Sequence, residues 1–430
     1  MNSDLDFDDK NLNQERTDIR ENKKIFTEED LSNIFLQHFQ VLNDIPNINV
    51  EKMNALRIYI QSNFRYINLI STIFPYPLCF RILLENPIEE VKKRALKLLS
   101  FFAQFSSFPF NEMINSPYSL FMLDTLKNTT YENVVTSIIN IFTYLLKTHS
   151  ELRDYFISVD ILNILSQKLI SSKIPAFLEV LLKIHPLLPP EIISQINILY
   201  GCLLDKCTNI QNRKEKSMNT YIIQNTIKSI THLLKEGFSP FDYSFVMNYI
   251  DILLDCKKSI IIHQTIRMVG FLPFPTIQYA QKCISLMSQD INIIHTILKV
   301  FIRKSDEWIG DQDIIVGFCI GHALTPNTSF DEKLLCLKVL LKYFPFHRDF
   351  DEKMCEILIQ FVTFPEVSLQ CIEKLTIMEN ADFEDNEKQI FVSMILDSTS
   401  EFQSVIDESD DENTALLVNN FLNQIEQMKE

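Results

Sequence analysis

Glycine is scarce in this chain: six residues in 430, at positions 201, 237, 270, 310, 317 and 321. So few leave little material for phosphate-cradling loops, nucleophile elbows or two-residue hairpin turns, which need glycine where the backbone takes positive φ or approaches a ligand. Positive charge is also in deficit, with 40 Lys and Arg against 56 Asp and Glu and a formal net charge of −16. A general nucleic-acid binder needs a dominant basic footprint to neutralise phosphates, so nucleic acid is not an expected partner. None of the nine cysteines stands in a Cys-x-x-Cys pair. That favours buried free thiols in a reducing compartment over disulfides or a metal site. The eight histidines show no His-x-x-x-His spacing, and no nucleophile motif stands out, so no catalytic residue, metal or cofactor is expected. No uncharged apolar run reaches the ~18 residues of a membrane span. The first residues are polar and acidic, unlike a signal peptide. These absences predict a chain without a membrane span, cytoplasmic or nuclear in location.

What is present is helix. From Glu89 to Phe105 the residues Val91, Ala95, Leu98, Leu99 and Phe102 fall at 3.6-residue spacing on one apolar stripe, with Lys92, Lys93 and Lys97 off its centre. Asn86-Pro87 supplies the turn before it. The same pattern recurs down the chain. Registered on Ala95, the equivalents are Ala55, Ala95, Ile138, Phe177, Thr226, Thr265, Ile297, Cys336 and Cys371, at intervals of 40, 43, 39, 49, 39, 32, 39 and 35. Most lie near the ~40–47 of two- and three-helix repeats. The longest interval predicts an insertion over Lys206 to Met218, a polar stretch, and the shortest predicts a repeat that has lost a helix.

The ends differ from the middle. Residues 1–25 are acidic with almost nothing apolar, which predicts a disordered arm. Over 26–50, Thr27-Glu28-Glu29-Asp30 predicts a helix start, with Leu31, Ile34, Phe35, Phe39 and Leu42 as the stripe of a capping helix. The repeat array is expected over 51–400, an acidic linker over 401–414, and a last helix over 415–430 with Leu417, Val418, Phe421, Leu422, Ile425 and Met428 on one face. Gly317 and Gly321, four apart, predict a close helix–helix approach.

The helix with Ala95-Leu96, Leu99 and Ala103, and the run Glu151 to Leu162 followed by Leu165 and Leu169, resemble the armadillo family, over roughly residues 50 to 380. Later units such as Val367 to Met378 are equally HEAT-like. Where the family usually places glycine between its first two helices, this chain has Asp160. The resemblance implies an all-α, right-handed α-solenoid superhelix of about eight to nine repeats with an extended concave surface, and a non-enzymatic protein-binding scaffold.

In armadillo proteins the slot two residues past the register position faces the concave groove. Here it reads Arg57, Lys97, Asn140, Glu179, Lys228, Arg267, Lys299, Lys338 and Glu373, six basic of nine. The chain average predicts about one, and helix surfaces raise that to roughly two. Four residues further on come Gln61, Phe101, Tyr144, Lys183, His232, Phe271, Arg303, Lys342 and Ile377. Nuclear-import adaptors of the family carry Trp in the first slot and Asn in the second. Neither ladder is present, so recognition of basic import signals is not carried over. The candidate groove residues are therefore Arg57, Lys97, Lys228, Arg267, Phe271, Lys299, Arg303, Lys338 and Lys342, suited to a protein partner presenting an extended acidic peptide. The same lysines and arginines also fit a plain solvated face, since both are good helix formers. The acidic tails are a possible internal occupant of the groove. Two other roles stay open: a structural subunit packing by its convex face, and an enzyme whose site leaves no motif.

Overall fold

The computed structural model describes residues 27–114, 117–184, 188–209, 216–238, 242–256, 258–272, 279, 282–283, 285–286, 291–303, 312–344, 350–379, 384–408 and 412–428. The expected acidic arm lies outside them, as do six of the thirteen residues of the polar stretch from Lys206 to Met218. Among the described residues every regular element is helical. The chain divides into two compact units, Met1–Pro189 and Pro190–Glu430, so the array expected over 51–400 crosses a unit boundary.

The first unit opens with α1 (Glu28–Phe39), started by a capping box: the Asp30 amide donates to Thr27 Oγ1 at 3.2 Å and the Thr27 amide donates to Asp30 Oδ2 at 3.0 Å. Two 3₁₀ turns lead to α2 (Val50–Ser62), then α3 (Ile67–Ile73), α4 (Tyr76–Glu85) and α5 (Glu89–Phe102). Phe35 and Phe39 of α1 are buried, Phe39 edge-on to Phe74 with ring centroids 5.3 Å apart. The turn between α4 and α5 is fixed by Asn86, 1% exposed. Its amide donates to the carbonyls of Ile45 at 2.7 Å and Ile48 at 3.2 Å, and its Oδ1 accepts from the Ile88 amide at 2.9 Å. A buried amide with all these partners holds two distant stretches of chain together.

The unit continues through α6 (Phe110–Ile114), α7 (Pro117–Asn128), α8 (Glu132–Thr148), α9 (Arg153–Ser158), α10 (Ile161–Ser166) and α11 (Ile174–Lys183). Helices α2, α5, α8 and α11 pack side by side in one row, and α4 and α7 pack against them in a second layer. Polar rungs cross the row at repeat spacing. Arg94 donates to Asn54, and Asn140 Nδ2 donates to the carbonyl of Ser100 at 3.0 Å and its Oγ at 3.2 Å. Between α9 and α10, Asp160 takes φ 56°, the left-handed region where glycine was missed. Its short carboxylate is tolerated there and accepts from Asn163 Nδ2 at 3.1 Å.

The second unit consists of α12 (Pro190–Leu204), α13 (Lys216–Lys235), α14 (Ser244–Leu254), α15 (Ser259–Val269), α16 (Ile291–Arg303), α17 (Gln312–Ala323), α18 (Phe330–Tyr343), α19 (Glu352–Phe361), α20 (Ser368–Glu379), α21 (Asp385–Asp397), α22 (Thr399–Glu408) and α23 (Glu412–Met428). Here sequence-adjacent helices pack in pairs, α12 on α13, α14 on α15, α17 on α18 and α19 on α20. Their second members form a row, α13 to α15 to α16 to α18 to α20. Helical residues Tyr279, Lys282, Cys283, Ser285 and Leu286 precede α16. Most residues between Leu272 and Ile291, where the expectation of a lost helix falls, lie outside the described residues.

The register holds at eight of its nine positions, which are buried; Ala55 is exposed and Leu56 buried instead. Helix α2 buries Met53, Leu56 and Ile60, which turns its packed face by one residue. Gly317 and Gly321 are exposed, with nothing within 4 Å of where a Cβ would stand, so the expected close approach is not there. At the end of the unit, residues 401–408, read from sequence as linker, belong to α22, because Phe402 and Val405 give it a buried side. The last helix starts at Glu412 and packs on α20, α21 and α22, with Phe402 and Phe421 rings 5.7 Å apart.

Candidate functional site

A slot two residues beyond a buried register position lies ~200° around the helix. In the second unit that is the side of each helix opposite its buried register position. The structure places Lys228 on α13, Arg267 on α15, Lys299 on α16 and Lys338 on α18, on neighbouring helices, with Phe271, Arg303 and Lys342 one turn further along. Arg267, Lys299, Arg303 and Lys342 are exposed; Lys228, Phe271 and Lys338 are half-buried. Lys97 is exposed on α5 of the first unit, and Arg57 is half-buried on α2. With the packed face of α2 turned, its outward slot falls on Ile58, which is exposed, while the Arg57 Nε is buried without a partner. Arg57 is thus a poor member of an outward cationic set.

The cations of the second unit separate by what they touch. Lys342 Nζ donates to the carbonyls of Ile302 at 3.1 Å and Phe301 at 3.4 Å, the last turn of α16, where a cation offsets the unpaired carbonyls and the helix dipole. Lys338 is ion-paired with Glu366. The Arg303 guanidinium lies over the Phe271 ring, 4.1 Å from its centroid. That contact rests on Gly270, where a Cβ would stand 2.9 Å from Val300 Cγ2. Lys228, Arg267 and Lys299 make no ion pair or hydrogen bond to another described residue.

One more basic group joins them. His263 on α15 is half-buried, with its Nε2 2.6 Å from the Thr296 hydroxyl of α16. Burial lowers its pKa, and the nearby Arg267 and His295 add to the effect.

Sequence reasoning scored single slots and missed a stronger signal. Helices α13, α15 and α16 contain Lys216, Lys228, Lys235, Arg267, Lys299 and Arg303, with His232, His263 and His295, and no Asp or Glu at all. Three adjacent helices free of acid, in a chain of net charge −16, make one coherent positive surface. A tally of charge sign helix by helix would have found it.

The first unit presents a different surface. Its slots hold Asn140, Phe101 and Tyr144, and a cleft of about 490 Å³ is lined by Phe105, Phe108, Phe110, Tyr144 and His149 among others. Among the described residues no group of three or more His, Cys, Asp or Glu is placed to hold a metal ion. No single described helix is long and apolar enough to cross a membrane. All nine cysteines are free. Burial pushes the thiols of Cys283, Cys355 and Cys371 up to about 12.

No family model matches the chain, and no curated protein matches it. Among solved structures, an engineered protein aligns over 94% of this chain and 97% of its own, with a TM-score of 0.47 and 12% identity. A second, from work on a conserved phosphorylation switch controlling the interaction between cadherin and beta-catenin, aligns over 94% and 97% with a TM-score of 0.37 and 11% identity. At these scores neither likeness carries the architecture, which rests on the helix contacts above.

Proposed function

We propose that this chain is a non-enzymatic protein-binding scaffold, and that the second unit holds an extended acidic segment of a partner across the outward face of α13, α15, α16 and α18. In this reading the face is the concave side of a right-handed armadillo- or HEAT-like superhelix. The observation that carries it is the acid-free trio of helices bearing Lys228, Arg267 and Lys299 without partners among the described residues. Cations left unpaired on a strongly acidic protein repel one another, and a run of carboxylates relieves that while gaining charge-assisted hydrogen bonds.

Helix spacing sets the ligand's pattern. Packed helices lie ~10 Å apart, so three steps from α13 to α18 span about 30 Å. An extended peptide advances about 3.4 Å per residue, so about nine residues cross the face, with a carboxylate every third residue meeting each helix in turn. The Arg303–Phe271 stack offers one apolar contact beside this track.

A fluorescent peptide of that pattern, titrated by anisotropy at low and high salt, tests the reading. Binding that weakens steeply with salt, and that falls about tenfold or more when Lys228, Arg267 and Lys299 are all changed to Gln, is expected, at roughly 0.5–1 kcal/mol per exposed pair. Equal binding of the wild type and the triple variant, both folded by circular dichroism, would remove the proposal.

A further inference from the structure

Arg57 on α2 makes no hydrogen bond or ion pair to any described residue, although it is half-buried and its Nε is sealed from solvent. A guanidinium carries several N–H donors in a planar fork. Sheltered from water and unmatched, it costs stability without returning any, and an apolar side chain of similar length would serve the fold as well or better. Packing therefore gives no reason for an arginine here.

Its neighbours show what is missing. One turn back on α2, Asn54 accepts a hydrogen bond from Nη1 of Arg94, which reaches across from α5. Nη2 of Arg94 lies 3.2 Å from Glu90 Oε1 on its own helix, an ion pair whose carboxylate is 50% exposed. The Nε of Arg94 is buried without a partner, as that of Arg57 is. Two guanidiniums with orphaned donors thus stand about Asn54 along the seam between α2 and α5. Among the described residues, Glu90 is the one carboxylate paired to either of them. Outward along α2, Asn54 is followed at four and seven residues by Ile58 and Gln61, which share its side of the helix. Ile58 is 55% exposed, and Gln61 is exposed beside it.

We propose that the seam between α2 and α5 is a second binding site, which takes a carboxylate side chain of a partner polypeptide on Arg57, with Arg94 beside it. The guanidinium fork matches a carboxylate in two parallel hydrogen bonds, which a lysine does not supply. A glutamate flanked by apolar residues fits the site, because the exposed Ile58 follows Arg57 directly and offers such a flank its contact. Binding gives Arg57 the acceptor that the fold withholds. All of these residues belong to the first unit, so this site and the cationic face of the second unit stand or fall separately.

The test labels the full chain at its arginine nitrogens and follows the Nε–Hε resonances by NMR during titration with a capped Leu-Glu-Leu peptide. A saturable shift of the Arg57 resonance, assigned by its loss in Arg57→Met, is expected, with no shift from the Leu-Gln-Leu counterpart. Arg57→Lys keeps the charge and loses the fork, so binding read at the Arg94 resonance should weaken about tenfold. In urea denaturation of the peptide-free chain, Arg57→Met should keep or raise the first unit's midpoint, since the fold loses an unmatched cation. A lowered midpoint would make Arg57 a structural residue and overturn the proposal. So would an Arg57 resonance that ignores the Glu peptide or answers the Gln peptide equally. A response to inorganic phosphate alone would do the same, because the site would then take a free anion.

Discussion

Lys299 and Lys342 are both exposed lysines on the same face, yet the structure gives them different work. Lys342 closes the carbonyl end of α16 through Ile302 and Phe301, while Lys299 touches no described partner. Changing each to Met keeps the length of the side chain and removes the charge. A hydrogen bond from a charged group is worth ~1.5–3 kcal/mol when sheltered, and a cation at a helix C-terminus ~0.3–1 kcal/mol at the surface. With Lys342 exposed, about 1 kcal/mol is the appropriate figure after solvent screening. For a unit of this size that lowers Tm by about 2–4 °C. Lys299→Met should move stability by less than ~0.5 kcal/mol, toward gain if relief from Arg267 dominates. Because two units need not unfold together, hydrogen exchange of the amides in α16 and α18 reads the change where it arises. Equal losses in the two variants, or none in Lys342→Met, would refute the division of the cations into structural and free.

Other outcomes follow from the same geometry. Asp160→Val puts a β-branched side chain at φ 56° and should cost about 1–2 kcal/mol in urea denaturation, whereas Asp160→Gly should be neutral or slightly stabilising; similar midpoints for the two would count against strain there. Asn86→Ala leaves the carbonyls of Ile45 and Ile48 without their buried donor, and a loss of about 2–3 kcal/mol is expected in the first unit's denaturation midpoint. His263 has a folded pKa below its unfolded value of 6.5, so the folded state binds fewer protons. The stability it contributes is complete above that value and is lost as pH falls through the folded pKa. His263→Gln should therefore flatten the drop in stability between neutral and mildly acidic pH, and an unchanged pH profile would be inconsistent with the His263–Arg267–His295 arrangement.

The repeat row was legible because burial repeats it: Ala95, Ile138, Phe177, Thr226, Thr265, Ile297, Cys336 and Cys371 all face inward. Ala55 misled because alanine carries too little apolar weight to fix a helix face, and Leu56 beside it settles the rotation. Asp160 stood out in sequence as a residue where glycine was wanted, and its positive φ is the physical content of that oddity. The helical state of residues 401–408 was hidden by Glu401, Asp407 and Glu408, which lie on its exposed side while Phe402 and Val405 pack inward. The division of the chain at Pro189–Pro190 has no periodic signature, since the helix pattern runs up to it and resumes after it. Nor could one-dimensional spacing show that Lys342 caps α16, because that depends on which helices lie side by side.

The most direct test of the acid-binding account is a charge swap. Affinities are measured for an acidic peptide with a carboxylate every third residue, and for its lysine counterpart, against the wild type and a Lys228→Glu, Arg267→Glu, Lys299→Glu variant that remains helical. The account predicts that the wild type prefers the acidic peptide and the variant the basic one, with both preferences fading as salt rises. Retention of the acidic preference by the variant would contradict it.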